Sequence, residues 1–410
     1  IFFSSLSENI VRIDNFLFSD DCLRTVEAFI GLGIEINCSG RFVTVTGRGL
    51  KGLTKPSGNI YAGNSGTTAR LMLGLLSAQN FRAVISGDDS LSERPMRRVT
   101  EPLKEMGADF KGRDGANLLP IEVKGSNLRP VDYRLVVASA QVKSAVLIAG
   151  MYADGITTVR QDYKTRDHTE RMLKAFGAPV SITDSGVSIS KTDYLNVVNF
   201  AVPGDISSAA FLIALCLLSH KAKITVHNVG INPTRIGFIN VLKRMGAEID
   251  LNIVLKESDS AIGEPSADIT VVSSKLKGTT IRKAEIPILI DELPILFLIF
   301  ALAEGTSYIE HVSELKVKET DRVNSVLGNL RRMGADVEII GEDVKITGVE
   351  KLKAGELLSF SDHRTAMVNV IAAVFAQGSS CIDDTECINI SYPGFLTELK
   401  SILSDQVEFR

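Results

Sequence analysis

Eight polar turns in this 410-residue chain hold residues that could do chemistry, and five of them place an arginine in the same kind of position. Four turns precede amphipathic stretches: Ser92-Glu93-Arg94-Pro95, Thr165-Arg166-Asp167-His168-Thr169-Glu170, Asn232-Pro233-Thr234-Arg235 and Lys318-Glu319-Thr320-Asp321-Arg322. Four precede apolar stretches: Gly63-Asn64-Ser65-Gly66-Thr67-Thr68, Ser139-Ala140-Gln141, Gly204-Asp205-Ile206-Ser207-Ser208 and Asp362-His363-Arg364-Thr365. Ser, Thr and Asp before a helix are ordinary N-caps, because their side-chain oxygen accepts from a free amide. Arginine is not explained that way, since a positive charge at a helix N-terminus opposes the macrodipole. A bound anion would remove the conflict, and helix amides with guanidinium forks suit phosphate and carboxylate. Several such ends meeting at one gap would grip a small ligand with two or three anionic groups. The competing reading makes each arginine half of a surface ion pair. Its recurrence at Arg94, Arg166, Arg235, Arg322 and Arg364 weighs against that.

Acids stand among these basic turns. Asp291-Glu292 precedes an apolar stretch, and Glu319 lies between Lys318 and Arg322. A carboxylate among cations stays ionised and can act as a base. Charge compensation for the arginines is the other reading, and spacing leaves both open.

The elements that position these turns recur. Lys104-Glu105-Met106-Gly107-Ala108-Asp109 returns as Lys174-Ala175-Phe176-Gly177-Ala178, as Lys243-Arg244-Met245-Gly246-Ala247-Glu248 and as Arg331-Arg332-Met333-Gly334-Ala335-Asp336, with a looser copy at Ile30-Gly31-Leu32-Gly33-Ile34. The interval is about 70 residues, long enough for a small packed module rather than a solenoid turn. Each copy closes an amphipathic helix such as Val323 to Met333, and its glycine is a left-handed C-terminal cap, cheapest without a side chain. An alternating strand pair follows, as in Val337–Ile340 and Val344–Thr347 around Gly341-Glu342-Asp343. A second helix type is apolar nearly all round: Ala145 to Tyr152, Ala209 to Leu218, Pro294 to Ala303 and Ala366 to Phe375. Such helices are buried. The unit therefore reads strand, helix, strand, helix, strand, strand. Three units per domain give two domains, residues 1–202 and 203–410, divided near Val202-Pro203-Gly204.

Composition bounds the function. Charged residues make up 23% and the net charge is −4, so nothing in the total points to nucleic acid. The five cysteines, Cys22, Cys38, Cys216, Cys381 and Cys387, are odd in number with no CxxC pair, which fits a reducing cytosol rather than a disulfide framework or zinc site. The apolar run Leu293 to Ala303 is too short to span a bilayer and is expected as a buried helix. No basic segment precedes an apolar core at the start, so a secretory signal is not expected. Ile1 to Leu6 reads like the middle of a helix without Met or a cap, so residues are expected upstream.

Five phrases in order resemble the EPSP synthases, the 3-phosphoshikimate 1-carboxyvinyltransferases: Gly63-Asn64-Ser65-Gly66-Thr67-Thr68-Ala69-Arg70, Ser92-Glu93-Arg94-Pro95-Met96, Ser139-Ala140-Gln141, Lys318-Glu319-Thr320-Asp321-Arg322 and Asp362-His363-Arg364. The likeness runs to Ser391-Tyr392-Pro393-Gly394-Phe395, and the Ser139 and Thr165 phrases look like the branch with glyphosate-tolerant members. It implies an α/β chain with the two-domain enolpyruvyl transferase fold, each domain three βαβαββ repeats around a pseudo-threefold axis, and a cleft that closes on the substrates. It further implies that Ser139, the Ala140 backbone, Arg166 and Lys318 bind the shikimate phosphate and that Asp291 holds the shikimate hydroxyls. Phosphoenolpyruvate would meet Gln141, Arg94, Arg322 and Arg364, with Gly66 close behind it, and Asp291 and Glu319 would transfer protons. No metal, organic cofactor, nucleic acid or membrane is implied, and a cytoplasmic monomer is expected.

Two departures from the family pattern stand out. The Lys-Ser-x-Ser-x-Arg phrase of the family would lie just before Ile1, and a polypeptide lacking it is expected to turn over little. Ile390 stands where some members have a lysine that contacts phosphoenolpyruvate. Two alternatives fit parts of the sequence. A UDP-N-acetylglucosamine enolpyruvyl transferase would carry a reactive cysteine on a mobile loop, yet Gly87 to Arg98 has none, and Cys22, Cys38 and Cys216 read as buried inert thiols. A catalytically silent scaffold would have no need of Asp291, Glu319, Arg322 and Arg364 together.

Overall fold

A computed structural model describes residues 1–403 of the chain. Contacts divide it into two compact units, residues 1–202 with 256–264, and residues 203–255 with 265–410. The second stretch of the first unit, 256–264, was not foreseen, because it lies far along the chain and has no repeat signature. Its Ile262 joins the first unit's apolar core.

Within the first unit, two modules follow the βαβαββ order in full. In one, Ile60–Tyr61 pairs parallel with Arg82–Ser86, which runs antiparallel to Leu118–Lys124, itself antiparallel to Asp109–Gly112. The helices Gly66–Leu76 and Arg97–Glu105 fill the two connections. In the other, Asp132–Arg134, Ile156–Arg160, Gly186–Ser190 and Val180–Thr183 form the sheet, with helices Ala140–Gly150 and His168–Ala175. The remaining module, Glu8–Asp14, Phe42–Arg48 and Glu35–Ser39, takes its fourth strand from the end of the unit. Phe200–Ala201 pairs parallel with it, Ile13 opposite Phe200.

The second unit repeats the scheme less evenly. Thr280–Ile281, Thr306–Ile309, Asp343–Thr347 and Asp336–Ile340 make a complete sheet, whereas the last module keeps only two-residue pairs at Leu352–Lys353 with Ala376–Gln377 and Glu356–Leu357 with Cys381–Ile382. Its chain has no alternating run long enough for a ladder, being broken at Gly355 and at Gly378-Ser379-Ser380.

The helices apolar all round form the cores. Ile206–Leu218, Leu293–Leu302 and His363–Val374 bury nearly every residue they contain. They start earlier than the apolar pattern suggests, because polar caps set the N-termini of Ile206–Leu218 and His363–Val374, whereas Leu293–Leu302 starts beside Pro294 without a side-chain cap. Asp205 and Asp362 accept from amides of the first turn, and Ser65 and Ser139 do the same in the first unit. Gly74 shows how tightly the first unit's helices meet. A β-carbon there would stand 2.3 Å from the Ala145 carbonyl oxygen, so only glycine allows the two backbones so close. At the other ends, Gly33, Gly107, Gly177, Gly246 and Gly334 all have positive φ, as the repeated phrase predicts. Among the described residues no helix is long and apolar enough to cross a membrane.

Candidate functional site

In the first unit the candidate residues gather at two helix N-termini. Gly66 opens Gly66–Leu76 and Ala140 opens Ala140–Gly150. Arg94 reaches back to the first of these. Its Nη2 donates to Asn64 Oδ1 at 2.5 Å and to Ser90 Oγ at 3.2 Å, and its Nη1 to the Asn64 carbonyl at 3.2 Å. Arg70, one helical turn beyond Gly66, donates to Gln141 Oε1 at 2.7 Å, and Gln141 Nε2 donates to Thr67 Oγ1 at 2.9 Å. Gly66, Arg94 and Gln141 are thus brought together, and Arg70 joins them. A β-carbon on Gly66 would stand 2.9 Å from Arg70 Nη1 and 3.5 Å from Arg94 Nη1. The absent side chain leaves room beside two guanidinium groups at the helix start, an arrangement suited to an anion.

Ser139 caps the second helix through Val142 N. Arg166 is half-buried in the turn before His168–Ala175. That turn is tied to the Ser139 helix by buried polar groups. Lys143 Nζ donates to the carbonyl of Thr165 at 3.4 Å and pairs with Glu170 at 2.5 Å, and Ser144 and Thr169 share a hydroxyl bond of 2.6 Å. Lys143 and Glu170 are 0% and 1% exposed. Burial pushes the Glu170 carboxyl above its usual range, and Lys143 pulls it back only in part.

In the second unit Asp291, Lys318, Glu319, Arg322 and Arg364 form one charged cluster. Arg322 is its centre and is 1% exposed. Its Nε donates to Asp362 at 2.9 Å, its Nη2 meets Glu319 at 2.5 Å, and its Nη1 lies 3.7 Å from Asp291. Burial alone would favour loss of its charge, but Asp362, Glu319 and Asp291 outweigh it and raise the pKa above the ordinary arginine value. Asp291 also faces Lys318 at 3.6 Å and Arg364 at 3.9 Å, and its carbonyl accepts from Arg364 Nη1 at 2.8 Å. Asp362 does two tasks, since Oδ1 caps the helix through Arg364 N and Thr365 N while Oδ2 holds Arg322. The conflict between Arg322 and the helix dipole is therefore met inside the protein by carboxylates, not by an anion alone.

His363 sits beside this cluster and is buried. Burial, with Arg322 next, lowers its pKa from 6.5 to about 4. The ring is neutral near pH 7 and adds no charge. Unfolding restores its ordinary proton affinity, so between pH 6.5 and about 4 the unfolded chain takes up a proton that the folded chain refuses. Stability is full above pH 6.5 and falls as pH drops toward 4. At about 1.4 kcal/mol per unit, the loss approaches about 3 kcal/mol. Urea unfolding of the parent and of His363→Asn, at about pH 7 and about pH 4.5, checks this. The parent is expected to lose more stability across that interval, and equal losses would remove His363 as the cause.

Several participants escaped the sequence reading. Arg70 and Lys143 carried a signal, each being a charge inside an otherwise apolar helix, which predicts a buried partner. Glu170, Asp362 and Glu292 stood in the polar turns, but nothing in their spacing told which basic group each would pair with. One expectation is corrected. Cys216 is buried, with burial raising its thiol pKa, but Cys22 is only half-buried and Cys38 is exposed on Glu35–Ser39, whose residues mostly face solvent.

Comparison with known proteins places the whole chain. The family pattern described as EPSP synthase (3-phosphoshikimate 1-carboxyvinyltransferase) matches residues 1–399. A 3-phosphoshikimate 1-carboxyvinyltransferase of Oceanobacillus iheyensis is 45% identical over 403 residues, covering 98% of this chain and 93% of that protein. One of Pelotomaculum thermopropionicum is 47% identical over 407 residues, covering 99% and 93%. The solved EPSP synthase of Acinetobacter baumannii superposes with a TM-score of 0.84 at 39% identity, covering 98% of this chain and 91% of that one. With near-complete coverage and identity well above 30%, the chain belongs to the EPSP synthase family.

Proposed function

We propose that this protein transfers the enolpyruvyl group of phosphoenolpyruvate to the 5-hydroxyl of shikimate 3-phosphate, releasing 5-enolpyruvylshikimate 3-phosphate and phosphate on the route to chorismate and the aromatic amino acids. The observation that carries this reading is the single cluster of Asp291, Lys318, Glu319, Arg322 and Arg364, in a chain whose relatives are named for that reaction. In this reading Ser139, the Ala140 amide, Arg166 and Lys318 hold the shikimate phosphate, and Asp291 holds the ring hydroxyls. Gln141, Arg94, Arg322 and Arg364 hold phosphoenolpyruvate, with Gly66 leaving room behind it.

The chemistry is addition followed by elimination. The 5-hydroxyl oxygen bonds to C2 of phosphoenolpyruvate while its proton is given up and C3 gains one, so the addition needs no net proton. In the second half C3 loses a proton, the double bond returns and the C2–phosphate bond breaks. Asp291 and Glu319 move these protons, and the cations with the helix amides stabilise the charge that develops on the phosphate and carboxylate. Every group invoked belongs to the polypeptide or the substrates. The five free cysteines fit a cytoplasmic enzyme, and a monomer supplies all the residues named.

Phosphate release tests the reading. The full-length protein is expected to release phosphate only when shikimate 3-phosphate and phosphoenolpyruvate are both present. Release with UDP-N-acetylglucosamine in place of shikimate 3-phosphate would replace this function with the alternative one.

A further inference from the structure

Of the five turn arginines, Arg235 is the one the reaction leaves without a task. It lies just ahead of the helix Gly237–Arg244, and its Nη2 donates to Ser207 Oγ at 2.6 Å and to Asp205 Oδ1 at 3.2 Å. The same nitrogen lies 3.5 Å from Glu292 Oε1. Glu292 is 0% exposed on its side chain, its Oε1 accepts from the Ser207 hydroxyl, and its Oε2 has no hydrogen-bond partner among the described residues.

This arrangement resembles the one around Arg322, with the capping acid on the preceding helix instead of the following one. Asp205 caps Ile206–Leu218 and holds Arg235, as Asp362 caps His363–Val374 and holds Arg322. Each arginine spans the starts of two buried helices, its own module's and the next one's. The adjacent acids Asp291 and Glu292 are shared out between the two clusters. Asp291 turns toward Lys318, Arg322 and Arg364, whereas Glu292 turns toward Ser207 and Arg235. A buried charge pair of this kind is a poor source of stability compared with apolar packing. Its effect is to fix the dipeptide in one orientation, with one carboxylate delivered to each side.

We propose that Arg235 and Glu292 are positioning residues for Asp291, anchoring the peptide that carries it and setting the charge beside it. This rests on the reading of Asp291 as a proton-transfer group. Lys318, Arg322 and Arg364 face Asp291 directly, Glu319 and Asp362 lie across Arg322, neutral His363 lies beside them, and Asp205 lies beyond Arg235. Arg235 feels Asp291 as well as Glu292 and Asp205, which together outweigh its burial and keep it charged.

The test is the pH profile of phosphate release by the full-length protein from about pH 5 to about pH 9. Glu292→Gln keeps the size and the bond to Ser207 but removes a negative neighbour, so the acid limb is expected to move down by about half a unit or more. Arg235→Met removes a positive neighbour, so the limb is expected to move up by a similar amount, and the double variant is expected to lie near the parent. Glu292→Ala, which also removes the anchor, is expected to lower kcat about tenfold or more while KM changes less than about threefold. If Arg235→Met fails to fold, the direction of the Glu292→Gln shift decides alone. A limb that stays in place, or moves the same way in both single variants, overturns the proposal. Asp291→Asn run alongside separates the two levels. If it keeps most of the parent turnover, the reading of Asp291 is wrong. If it is silent while the Glu292 and Arg235 variants behave like the parent, only the positioning pair is wrong.

Discussion

Glu319→Gln is expected to lower kcat about 100-fold or more, with little change in fold stability. Glu319 meets Arg322 Nη2 through Oε2 as an ion pair, and glutamine keeps the size of the side chain while removing only its charge. Arg322 keeps Asp362 at 2.9 Å and Asp291 at 3.7 Å, so its charge stays compensated. Weakening one charge-assisted contact costs about 1 kcal/mol, too little to unfold a domain with cores of this size. A proton-transfer role, by contrast, cannot survive loss of the carboxylate. Steady-state phosphate release with a thermal melt of both proteins checks the claim. Turnover within about threefold of the parent would strip Glu319 of that role.

The second large effect is on stability. Lys143→Met is expected to destabilise the first unit by about 3–5 kcal/mol, because it leaves Glu170 buried without its counter-ion. Glu170 Oε2 already has no hydrogen-bond partner among the described residues, and burial has raised the carboxyl pKa, so the site has little reserve for an ionised acid. Replacing both partners, Lys143→Met with Glu170→Leu, is expected to recover most or all of the loss, since apolar packing of similar volume matches or betters a buried ion pair. The exposed pair Arg134–Asp162, at 66% and 61% exposure, is the control, where a single substitution should change stability by about 1 kcal/mol or less. Denaturant unfolding of the four proteins decides. If Lys143→Met behaves like the control, the pair carries no buried charge worth the name.

These contrasts show what the sequence could and could not convey. The glycine ends of the amphipathic helices were legible because a left-handed residue has one cheap solution, and five repeats of it stand out. The buried helices were legible because an apolar surface all round has one destination. The family phrases made the candidate residues legible, since each motif sits in one turn. What stayed hidden was pairing across modules. That Asp362 would hold Arg322, that Glu292 would turn away from Asp291, and that Glu170 would meet Lys143 depend on which helix starts lie side by side. Neither periodicity nor cap chemistry encodes that. The arginine argument was half right for the same reason. It identified an electrostatic conflict correctly but assigned its resolution to a ligand, where Arg235 and Arg322 find carboxylates of their own chain.

The parallel pairing of Ile13 with Phe200 has a consequence for how the protein is made. The ribosome delivers the first strand long before the last one that borders it. At about 5–20 residues per second, that gap amounts to about 10–40 seconds. Throughout that interval one margin of the earliest sheet has no neighbour, and such a margin is a template for pairing with another chain. That margin is covered only once Phe200–Ala201 has been made and can pair with Glu8–Asp14.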